Sequence, residues 1–332
     1  MIDLLKKLPN LKENEPLSKY TFFRIGGPAK YFFVAKTSED LVKAVAAAKD
    51  AGIAYAIMGG GCNMLVSDNG FDGLWVKAEN KKWTIDGTTL SAEAGTSMTL
   101  LAQETAKAGL TGFEFAAAIP GTVGGAIRGN AGAYGSEVKD TLVRARVWDG
   151  SKERWMSAKE CAFSYRESIF KRDIDQTTGH GAFVILAGEF VLKHGDAKEA
   201  ATRVREFLQK KAATQSLELP SAGCIFKNVE LIRGKLELKD QKQGEPSEFL
   251  KRELPKEFVE AGRIPTGWMI EALDLKGKTM GGAKVSDKHG NYILNTGKAR
   301  AEHIIMLMSL IKQQVRDKLG IQLQEEIQLI GF

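Results

Sequence analysis

The alternation of apolar and polar residues in the first sixty positions predicts one helix followed by one short strand. Thr37 and the acidic residues after it are typical of a helix N-terminus, and apolar residues then recur at helical spacing as far as Gly52. The apolar run 53–58 predicts a strand that leads directly into the glycine-rich turn 59–63. This turn therefore lies at the carboxyl end of a strand, where open α/β sheets commonly bind ligands.

The middle of the chain has a second glycine-rich region, enclosed by further predicted helices and strands. A helix is expected to begin near Thr96 and to end at Gly109, and strands are expected at 142–149 and 183–193. Between them, residues 118–135 combine many glycines with apolar neighbours, so we interpret this region as ordered loops rather than a flexible linker.

The last third of the chain differs in composition. A basic helix is predicted over 196–211, and residues 229–262 are so dense in Lys and Glu that we interpret them as an inserted surface element. A long amphipathic helix is predicted at 299–319, because its apolar residues fall on one face, and 321–330 predicts a terminal strand.

These elements divide into two domains, a number that suits a chain of 332 residues. We predict a first domain at 1–195. A second domain is predicted at 196–332, with the charged insertion at about 229–262. The mixture of helices and strands indicates an α+β or α/β class of fold.

Composition narrows the class of function. The chain is 43% hydrophobic and 27% charged, and its net charge of +6 is spread thinly, which argues against nucleic acid as a partner. No apolar run reaches the ~18 residues of a membrane span, and none near the N-terminus suits a signal peptide. Three separated cysteines indicate reduced thiols, and four scattered histidines give no reason to expect a metal site. We therefore expect a cytoplasmic protein without membrane insertion. We also expect a monomer, although composition does not determine the oligomeric state.

The 35 glycines are the informative excess of the composition. The turn 59–63 is not a Walker loop, because no Gly-Lys-Ser/Thr follows, and Met64 stands where a dinucleotide fingerprint has its third glycine. Two loops of unobstructed backbone N–H groups can nevertheless enclose one pyrophosphate. The two clusters together favour a dinucleotide site, with purely structural turns as the alternative.

Three side chains are candidates for chemistry, and each also has an ordinary structural interpretation. Cys224 could be a buried core cysteine, since no histidine is near it in sequence to activate a nucleophile. Arg166 could belong to a surface ion pair. Glu326 could be an acid on the polar face of the last strand, whose apolar face Glu325 interrupts.

Taken together, the motifs resemble one family along nearly the whole chain, the UDP-N-acetylenolpyruvoylglucosamine reductases. No single motif is specific, but their number and order are. The matching motifs are TFFRIGG (21–27), the turn 59–63, AIPGTVGGA (118–126), NAGAYG (130–135), YRESIFK (165–171), SAGCIFKN (221–228), GWMIE (267–271), LKG (275–277) and the terminal Glu326.

The resemblance implies an α+β fold with a FAD-binding domain of the vanillyl-alcohol-oxidase type and a C-terminal α+β substrate domain. The FAD-binding domain would be made of two small subdomains, at about 1–56 and 57–195. It also implies non-covalent FAD and a hydride donor, NADPH, that reduces the flavin and leaves. The second substrate is then UDP-N-acetylglucosamine enolpyruvate. Hydride passes from flavin N5 to its methylene carbon, and protonation of the neighbouring carbon gives UDP-N-acetylmuramate, a precursor of peptidoglycan.

The resemblance also assigns residues. Arg166 and Glu326 would stabilise the enolate-like charge, and Cys224 would donate the proton, for which an ordinary thiol with a pKa of ~8.5 is suited. Tyr165 and Asn228 would contact the substrate. The implied FAD contacts are Arg24, Ile25, Gly26, Met58, Gly59, Gly60, Gly61, Cys62, Asn63, Ala118, Ile119, Pro120, Gly121, Gly124, Gly125, Ala126, Asn130 and Gly132.

Two departures from the family pattern stand out. Cys62 occupies a position where the family most often has serine, and no tyrosine-bearing loop precedes Ser221, so the chain resembles the loop-lacking subgroup.

Three other functions remain open. One is a FAD-dependent alcohol oxidase of the same superfamily, which could tether its flavin through Cys62. The others are a non-redox transferase or hydrolase that uses Cys224 and a catalytically inactive nucleotide-binding module.

Overall fold

A computed structural model describes residues 5–172, 182–215, 218–240 and 244–332. The strands are β1 (Lys12–Pro16), β2 (Pro28–Ala35), β3 (Tyr55–Met58), β4 (Met64–Val66), β5 (Phe71–Ala78), β6 (Trp83–Asp86), β7 (Thr89–Glu93), β8 (Leu110–Thr111), β9 (Gly132–Ala133), β10 (Ser136–Glu137), β11 (Leu142–Trp148), β12 (Glu153–Ser157), β13 (Val184–Val191), β14 (Lys193–His194), β15 (Val229–Glu230), β16 (Arg263–Ile264), β17 (Thr279–Met280), β18 (Ala283–Val285), β19 (Ile293–Asn295) and β20 (Gln328–Ile330).

The helices are α1 (Ser38–Asp50), α2 (Met98–Lys107), α3 (Val123–Gly129), α4 (Ile169–Arg172), α5 (Ala197–Thr214), α6 (Glu248–Glu253), α7 (Lys256–Ala261), α8 (Thr266–Ala272) and α9 (Ala301–Leu319). Short 3-10 helices lie at Leu17–Lys19, Glu114–Ala118 and Val138–Asp140. Among the described residues, no helix combines the length and the apolar composition that crossing a bilayer requires.

The chain forms two compact units, each assembled from separate segments. The first contains Met1–Pro16, Pro28–Gly61 and Gly70–Ala213, and the second contains Leu17–Gly27, Cys62–Asn69 and Thr214–Phe332. Two short segments of the N-terminal half belong to the second unit because Phe23, Ile25 and Leu65 pack in its hydrophobic core. The units thus differ from the continuous segments 1–195 and 196–332, and the assignment of FAD and substrate to those segments stays a prediction.

Two sheets build the first unit. The first has the strand order β1-β2-β5-β3, in which β5 runs parallel to both β2 and β3. The second, β12-β11-β13-β7-β6, is antiparallel throughout. The apolar face of α1 is buried in a core with the first sheet, and α2 and α3 share a second core with the antiparallel sheet.

The predicted helix after Thr37 is confirmed as α1. The Thr37 hydroxyl accepts a hydrogen bond from the Asp40 N–H at 3.1 Å, and the Asp40 carboxylate accepts one from the Thr37 N–H at 3.0 Å. This reciprocal cap satisfies backbone groups that would otherwise lack partners at the helix N-terminus. Gly52, with φ of +64°, follows the helix in the left-handed conformation that glycine tolerates best. The chain then enters β3, which ends at Met58.

The second unit is organised around α9, which confirms the predicted amphipathic helix. Its buried face includes Ile304, Leu307, Ile311 and Val315, and Gly320 ends it in the left-handed conformation. The antiparallel sheet β17-β18-β19 and the parallel pair β4–β20 belong to the same unit. Leu250 of α6 is also fully buried in this core, so the charged region 229–262 is anchored by an apolar contact. Positions 241–243 of that region lie outside the described residues.

Two predicted strands are shorter in the structure. The prediction of one strand over 321–330 is wrong, because only β20 pairs regularly, with β4. Before it, Glu325 forms an isolated bridge with Phe226, so the segment changes partners within a few residues. Similarly, the strand predicted at 183–193 divides into β13, paired with β7 and β11, and β14, paired with β8.

Candidate active site

The two glycine clusters of the first unit are in contact. Gly59 follows the last residue of β3, and a Cβ placed on it would overlap the Thr122 hydroxyl and lie 3.2 Å from Thr122 Cβ. Only a glycine lets these backbones approach so closely. The loop that carries Thr122 is held by α2, because the Met98 N–H donates to Gly121 O at 3.0 Å and the Val123 N–H donates to Thr96 O at 2.9 Å.

Thr122 provides the test of whether this cradle suits a nucleotide cofactor. Its hydroxyl is buried, and it has no hydrogen-bond partner among the described residues. An unpaired buried hydroxyl costs about 1–3 kcal/mol, and a ligand bound beside Gly59 that supplied the missing partner would remove this cost. A phosphate oxygen of FAD is such a group. The residues present therefore fit the cofactor, and sequence reasoning overlooked Thr122 because it considered only the glycines around it.

The neighbouring glycines have different roles. The Gly124 N–H donates to Ala94 O at 2.9 Å, and a Cβ on Gly124 would lie 2.9 Å from Ala94 Cβ, so this residue packs against the turn after β7. A Cβ on Gly125, in contrast, would meet no atom closer than Thr122 Oγ1 at 3.8 Å. Of these two predicted FAD contacts, Gly125 is the less crowded, because a Cβ there would make only an ordinary van der Waals contact, whereas Gly124 is closely packed against Ala94.

Asn130 holds the next part of the loop together. It is fully buried with φ of +41°, and its amide donates to the Glu137 carboxylate and to Ser164 O while its carbonyl accepts from the Lys139 N–H. Both amide hydrogens are therefore used within the protein. A direct contact of Asn130 with FAD stays a prediction, and its described contacts fix the segment that carries Arg166.

Arg166 is held in a defined position by its neighbours. Its Nη2 donates to Gly132 O at 2.9 Å, and its guanidinium carbon lies 5.5 Å from the centre of the Tyr165 ring. Its backbone has φ of +55°, which is uncommon outside glycine and frequent at functional sites, and Lys171 Nζ donates to its carbonyl at 2.8 Å. The predicted residues Gly132, Tyr165 and Arg166 therefore lie together in the first unit.

The predicted FAD contacts Arg24, Ile25 and Gly26 lie in a tight turn of the second unit. The Thr21 hydroxyl donates to Ile25 O at 2.8 Å, and Arg24 has φ of +54°. Gly26 has φ of +139°, and a Cβ there would lie 3.0 Å from Val66 Cβ. This glycine is therefore required both by its backbone conformation and by the close approach of β4.

Cys224 and Glu326 are brought together in the second unit, although they are far apart in sequence. Cys224 forms a bridge pair with Tyr292, and the Glu326 N–H donates to Ile225 O at 2.8 Å. Asn63 joins the same arrangement, because its Nδ2 donates to Glu326 O at 3.2 Å and its carbonyl accepts from the Gln328 N–H at 3.1 Å. A residue of the first glycine turn thus contacts the segment of the catalytic carboxylate candidate.

The segment after Cys224 is fixed by α8. The Asn228 carboxamide oxygen accepts from the Thr266 N–H at 3.1 Å, and the Thr266 hydroxyl donates to Lys227 O at 2.6 Å. On the other side, the rings of Tyr292 and His289 lie 4.8 Å apart. Burial lowers the pKa of the His289 imidazole, which favours the neutral ring at neutral pH, and its Nδ1 accepts from the Asn291 N–H at 3.2 Å.

The three cysteines differ in burial. Cys161 is fully buried in the core of the first unit, and burial raises the pKa of its thiol to about 11. It is therefore a core residue. Cys62 and Cys224 are half-buried, and all three are free thiols. Within the described ranges, no three His, Cys, Asp or Glu side chains cluster closely enough to hold a metal ion.

Comparison with known protein families identifies the class of protein to which this chain belongs. Residues 29–155, which contain the Gly59–Thr122 contact, match the sequence model of a FAD binding domain, and residues 215–330 match the C-terminal domain of UDP-N-acetylenolpyruvoylglucosamine reductase. The chain is therefore a flavoprotein of the oxidoreductase class. The predicted α+β fold with a FAD-binding domain of the vanillyl-alcohol-oxidase type is confirmed.

The chain belongs to the UDP-N-acetylenolpyruvoylglucosamine reductase family. It is 35% identical to the reductase of Solibacter usitatus over 329 residues, which cover 98% of this chain and 99% of that protein. It is 36% identical to the reductase of Carboxydothermus hydrogenoformans over 335 residues, 99% of this chain and 97% of that one. The crystal structure of the reductase from Thermus caldophilus is similar, with a TM-score of 0.71, 27% identity and coverage of 97% and 98%.

Proposed function

We propose that this flavin-dependent oxidoreductase reduces UDP-N-acetylglucosamine enolpyruvate to UDP-N-acetylmuramate with NADPH, in the synthesis of peptidoglycan precursors. The activity follows from membership of the family, and the observation that supports the residue roles is the arrangement around Cys224. The Glu326 N–H donates to the carbonyl next to Cys224, so a proton donor and a carboxylic residue are neighbours within one unit. We further propose a cytoplasmic monomer, a location that three free thiols support.

FAD binding is assigned to the glycine loops and to the turn at Arg24. The Thr122 hydroxyl and the backbone at Gly125 would hold the pyrophosphate, since one offers a buried donor without a partner among the described residues and the other carries no side chain and has no close contact. The turn at Arg24, in the second unit, stays a predicted FAD contact of its own. When bound, FAD carries the hydride from NADPH to the enolpyruvyl group.

Arg166 is assigned to the carboxylate of the enolpyruvyl group. Hydride addition at the methylene carbon creates negative charge that spreads onto this carboxylate. A guanidinium can hold such a carboxylate through two parallel hydrogen bonds, which strengthen as the charge grows. Because Gly132 O and the Tyr165 ring already orient the Arg166 side chain, little reorganisation is needed when the charge develops.

Cys224 is assigned as the proton donor, with Glu326 as a hydrogen-bonding partner of the enolate. The enolate-like intermediate needs a proton on the carbon that bears the carboxylate, and the Cys224 thiol would supply it. The resulting thiolate is then protonated again from solvent, which the half-buried position of the thiol permits. Glu326, held at its backbone by Ile225 O and Asn63 Nδ2, would stabilise the enolate before the proton arrives.

Stopped-flow measurement of the two half-reactions tests the role of Cys224. In Cys224→Ala, we expect normal FAD content and normal flavin reduction by NADPH, but stalled flavin reoxidation by the enolpyruvyl substrate. Cys224→Ser should recover much of this step, because a hydroxyl can occupy the same position. Turnover of the native enzyme should decline at alkaline pH as the thiol ionises, and the serine variant should lack this decline.

The alternative interpretation is a structural core cysteine. It predicts that alanine is tolerated as well as serine and that no alkaline decline depends on residue 224. Normal substrate-driven reoxidation in Cys224→Ala would therefore end the proton-donor assignment. The activity itself is tested separately, since purified native protein should convert the enolpyruvyl sugar nucleotide only when NADPH and FAD are present.

A further inference from the structure

The segment that carries Cys224 is bulged at Ile225. In a regular strand, successive N–H groups point to opposite sides. Here the Ile225 N–H donates to Asn291 O at 2.9 Å, and the next N–H, that of Phe226, donates to Asn291 Oδ1 at 3.0 Å. Two successive N–H groups therefore point at the same residue. This is the hydrogen-bond pattern of a β-bulge, in which the side chain of Asn291 takes the place of a second backbone partner.

Burial shows what the bulge does to the side chains. Ile225 is 1% exposed and Phe226 is 0% exposed, and both pack in the core of the second unit, whereas neighbours in a regular strand face opposite sides. Cys224 stays half-buried. Its bridge partner Tyr292 is 6% exposed and is not a member of this core cluster, and because the side chains of a bridge pair lie on the same face, Cys224 and Tyr292 share one face.

The same bulge decides which acid shares a face with Cys224. Phe226 pairs with Glu325, so Glu325 lies on the core side, in line with the buried Leu323 two residues earlier. Glu326 therefore lies on the opposite face, the face of Cys224. Without the bulge, Cys224 and Phe226 would share a face, and Glu325 would be the acid on it.

We propose that Asn291 is a positioning residue that maintains this bulge and so places Cys224 and Glu326 on a common face. Asn291 is 1% exposed, and its carboxamide makes both possible bonds to Phe226, accepting from the N–H and donating Nδ2 to the carbonyl at 2.7 Å. A buried side-chain pair of this kind keeps the strand from returning to regular alternation. The inference rests on the proposed roles of Cys224 and Glu326.

The first test is Asn291→Ala, studied in both half-reactions. Flavin reduction by NADPH and FAD content should be unchanged, while reoxidation by the enolpyruvyl substrate should slow by about 10- to 100-fold, because the donor is displaced from its productive geometry. Hydrogen exchange of the peptide 221–228 should accelerate as well, since the Phe226 N–H loses its acceptor. Unchanged exchange and an unchanged reoxidation rate would overturn the inference.

A double-mutant cycle separates positioning from general damage. If Asn291 acts through Cys224, then Asn291→Ala should add no further slowing in the Cys224→Ala background. An equal slowing in both backgrounds would overturn the inference in favour of a structural role. Leu250→Ala is the matched control, because it leaves a cavity in the same core cluster as Ile225 and Phe226 but removes no hydrogen bond to the 224–228 segment. It should lower the thermal midpoint and leave both half-reactions intact.

Comparing reoxidation in Cys224→Ala with reoxidation in Asn291→Ala separates failure of the inference from failure of the proposed function. Normal reoxidation in Cys224→Ala would remove the donor role and the inference with it. Stalled reoxidation in Cys224→Ala combined with a normal rate in Asn291→Ala would overturn the inference alone. If the alanine variant does not fold, Asn291→Asp keeps the acceptor for the Phe226 N–H and removes the donor to Phe226 O, and the same slowing of reoxidation is expected.

Discussion

Arg166 shows how single residues in this protein are prepared for their role by their surroundings. The backbone of Arg166 is in the left-handed conformation. Its side chain is oriented by a hydrogen bond to Gly132 O and by a contact with the Tyr165 ring. Strained backbone of this kind costs about 1–3 kcal/mol and persists where neighbouring contacts determine it. The cost is consistent with a residue whose orientation matters for chemistry rather than for stability.

Replacing Arg166 tests this interpretation. Arg166→Ala should slow substrate-driven flavin reoxidation by about 100- to 1000-fold, because the developing charge loses a donor, and should leave reduction by NADPH nearly unchanged. Arg166→Lys keeps the charge but not the planar fork, so it should recover only part of the rate. Pre-steady-state kinetics of each half-reaction provide the measurement. Similar losses in both half-reactions would show instead that Arg166 supports the structure of the first unit.

At the scale of elements, the turn after β3 depends on its contact with the loop before α3. The strand and the turn were both expected from local sequence. Their proposed role in binding the cofactor depends on the close approach of Thr122 to Gly59. That approach fixes the separation of the two glycine loops. Any side chain at position 59 would therefore separate the loops that are assigned to the pyrophosphate.

Gly59→Ala should lower the FAD content of the purified protein. The added Cβ overlaps the Thr122 hydroxyl, and such overpacking costs about 1–3 kcal/mol. Gly87→Ala is the matched control: its left-handed φ of +55° makes alanine unfavourable by about 1–2 kcal/mol, but a Cβ there meets no atom within 4 Å. Flavin absorbance per protein and the thermal midpoint should separate the two variants. Equal flavin content in both would contradict the role given to the turn.

At the scale of the whole molecule, the two units are interleaved in sequence. Residues 17–27 and 62–69 lie in the N-terminal half of the chain but belong to the second unit, where some of them pack in its core. Each unit is therefore built from segments that are distant in the chain. Consequently the predicted FAD contacts are divided between the units, with Gly59 and Gly61 in the first and Arg24 and Asn63 in the second. Chain connectivity alone would not have indicated this division.

The native protein should be yellow, and heat or acid should release its FAD into the supernatant. No histidine lies in either glycine loop, and Cys62 is the nearest residue that could form a covalent link. Absorbance spectra before and after denaturation, with Cys62→Ser as a comparison, provide the measurement. Flavin that stays with the precipitated native protein but not with the Cys62→Ser variant would indicate a tethered flavin, as in the alcohol-oxidase alternative.

The sequence alone determined the features that depend on residues close together in the chain. The cap at Thr37, the helix ending at Gly320 and the strand before Gly59 follow from interactions within one or two turns, and all were predicted. The order of the motifs was sufficient to indicate the family, because the motifs are distributed along nearly the whole chain and each occurs in the position where the family has it. The roles of Cys224 and Glu326 came from that resemblance and stay predictions.

Only the tertiary structure decided the features that depend on a distant partner. The buried hydroxyl of Thr122 lies against Gly59, which is 63 positions away, and has no partner among the described residues. The Phe226 backbone is bulged because Asn291, 65 positions away, supplies both hydrogen bonds. Strand alternation read from sequence cannot include such a bulge, since the pattern 224–228 looks the same with or without it. The face that each side chain occupies is therefore set by pairing across the fold, and pairing is not encoded in neighbouring residues.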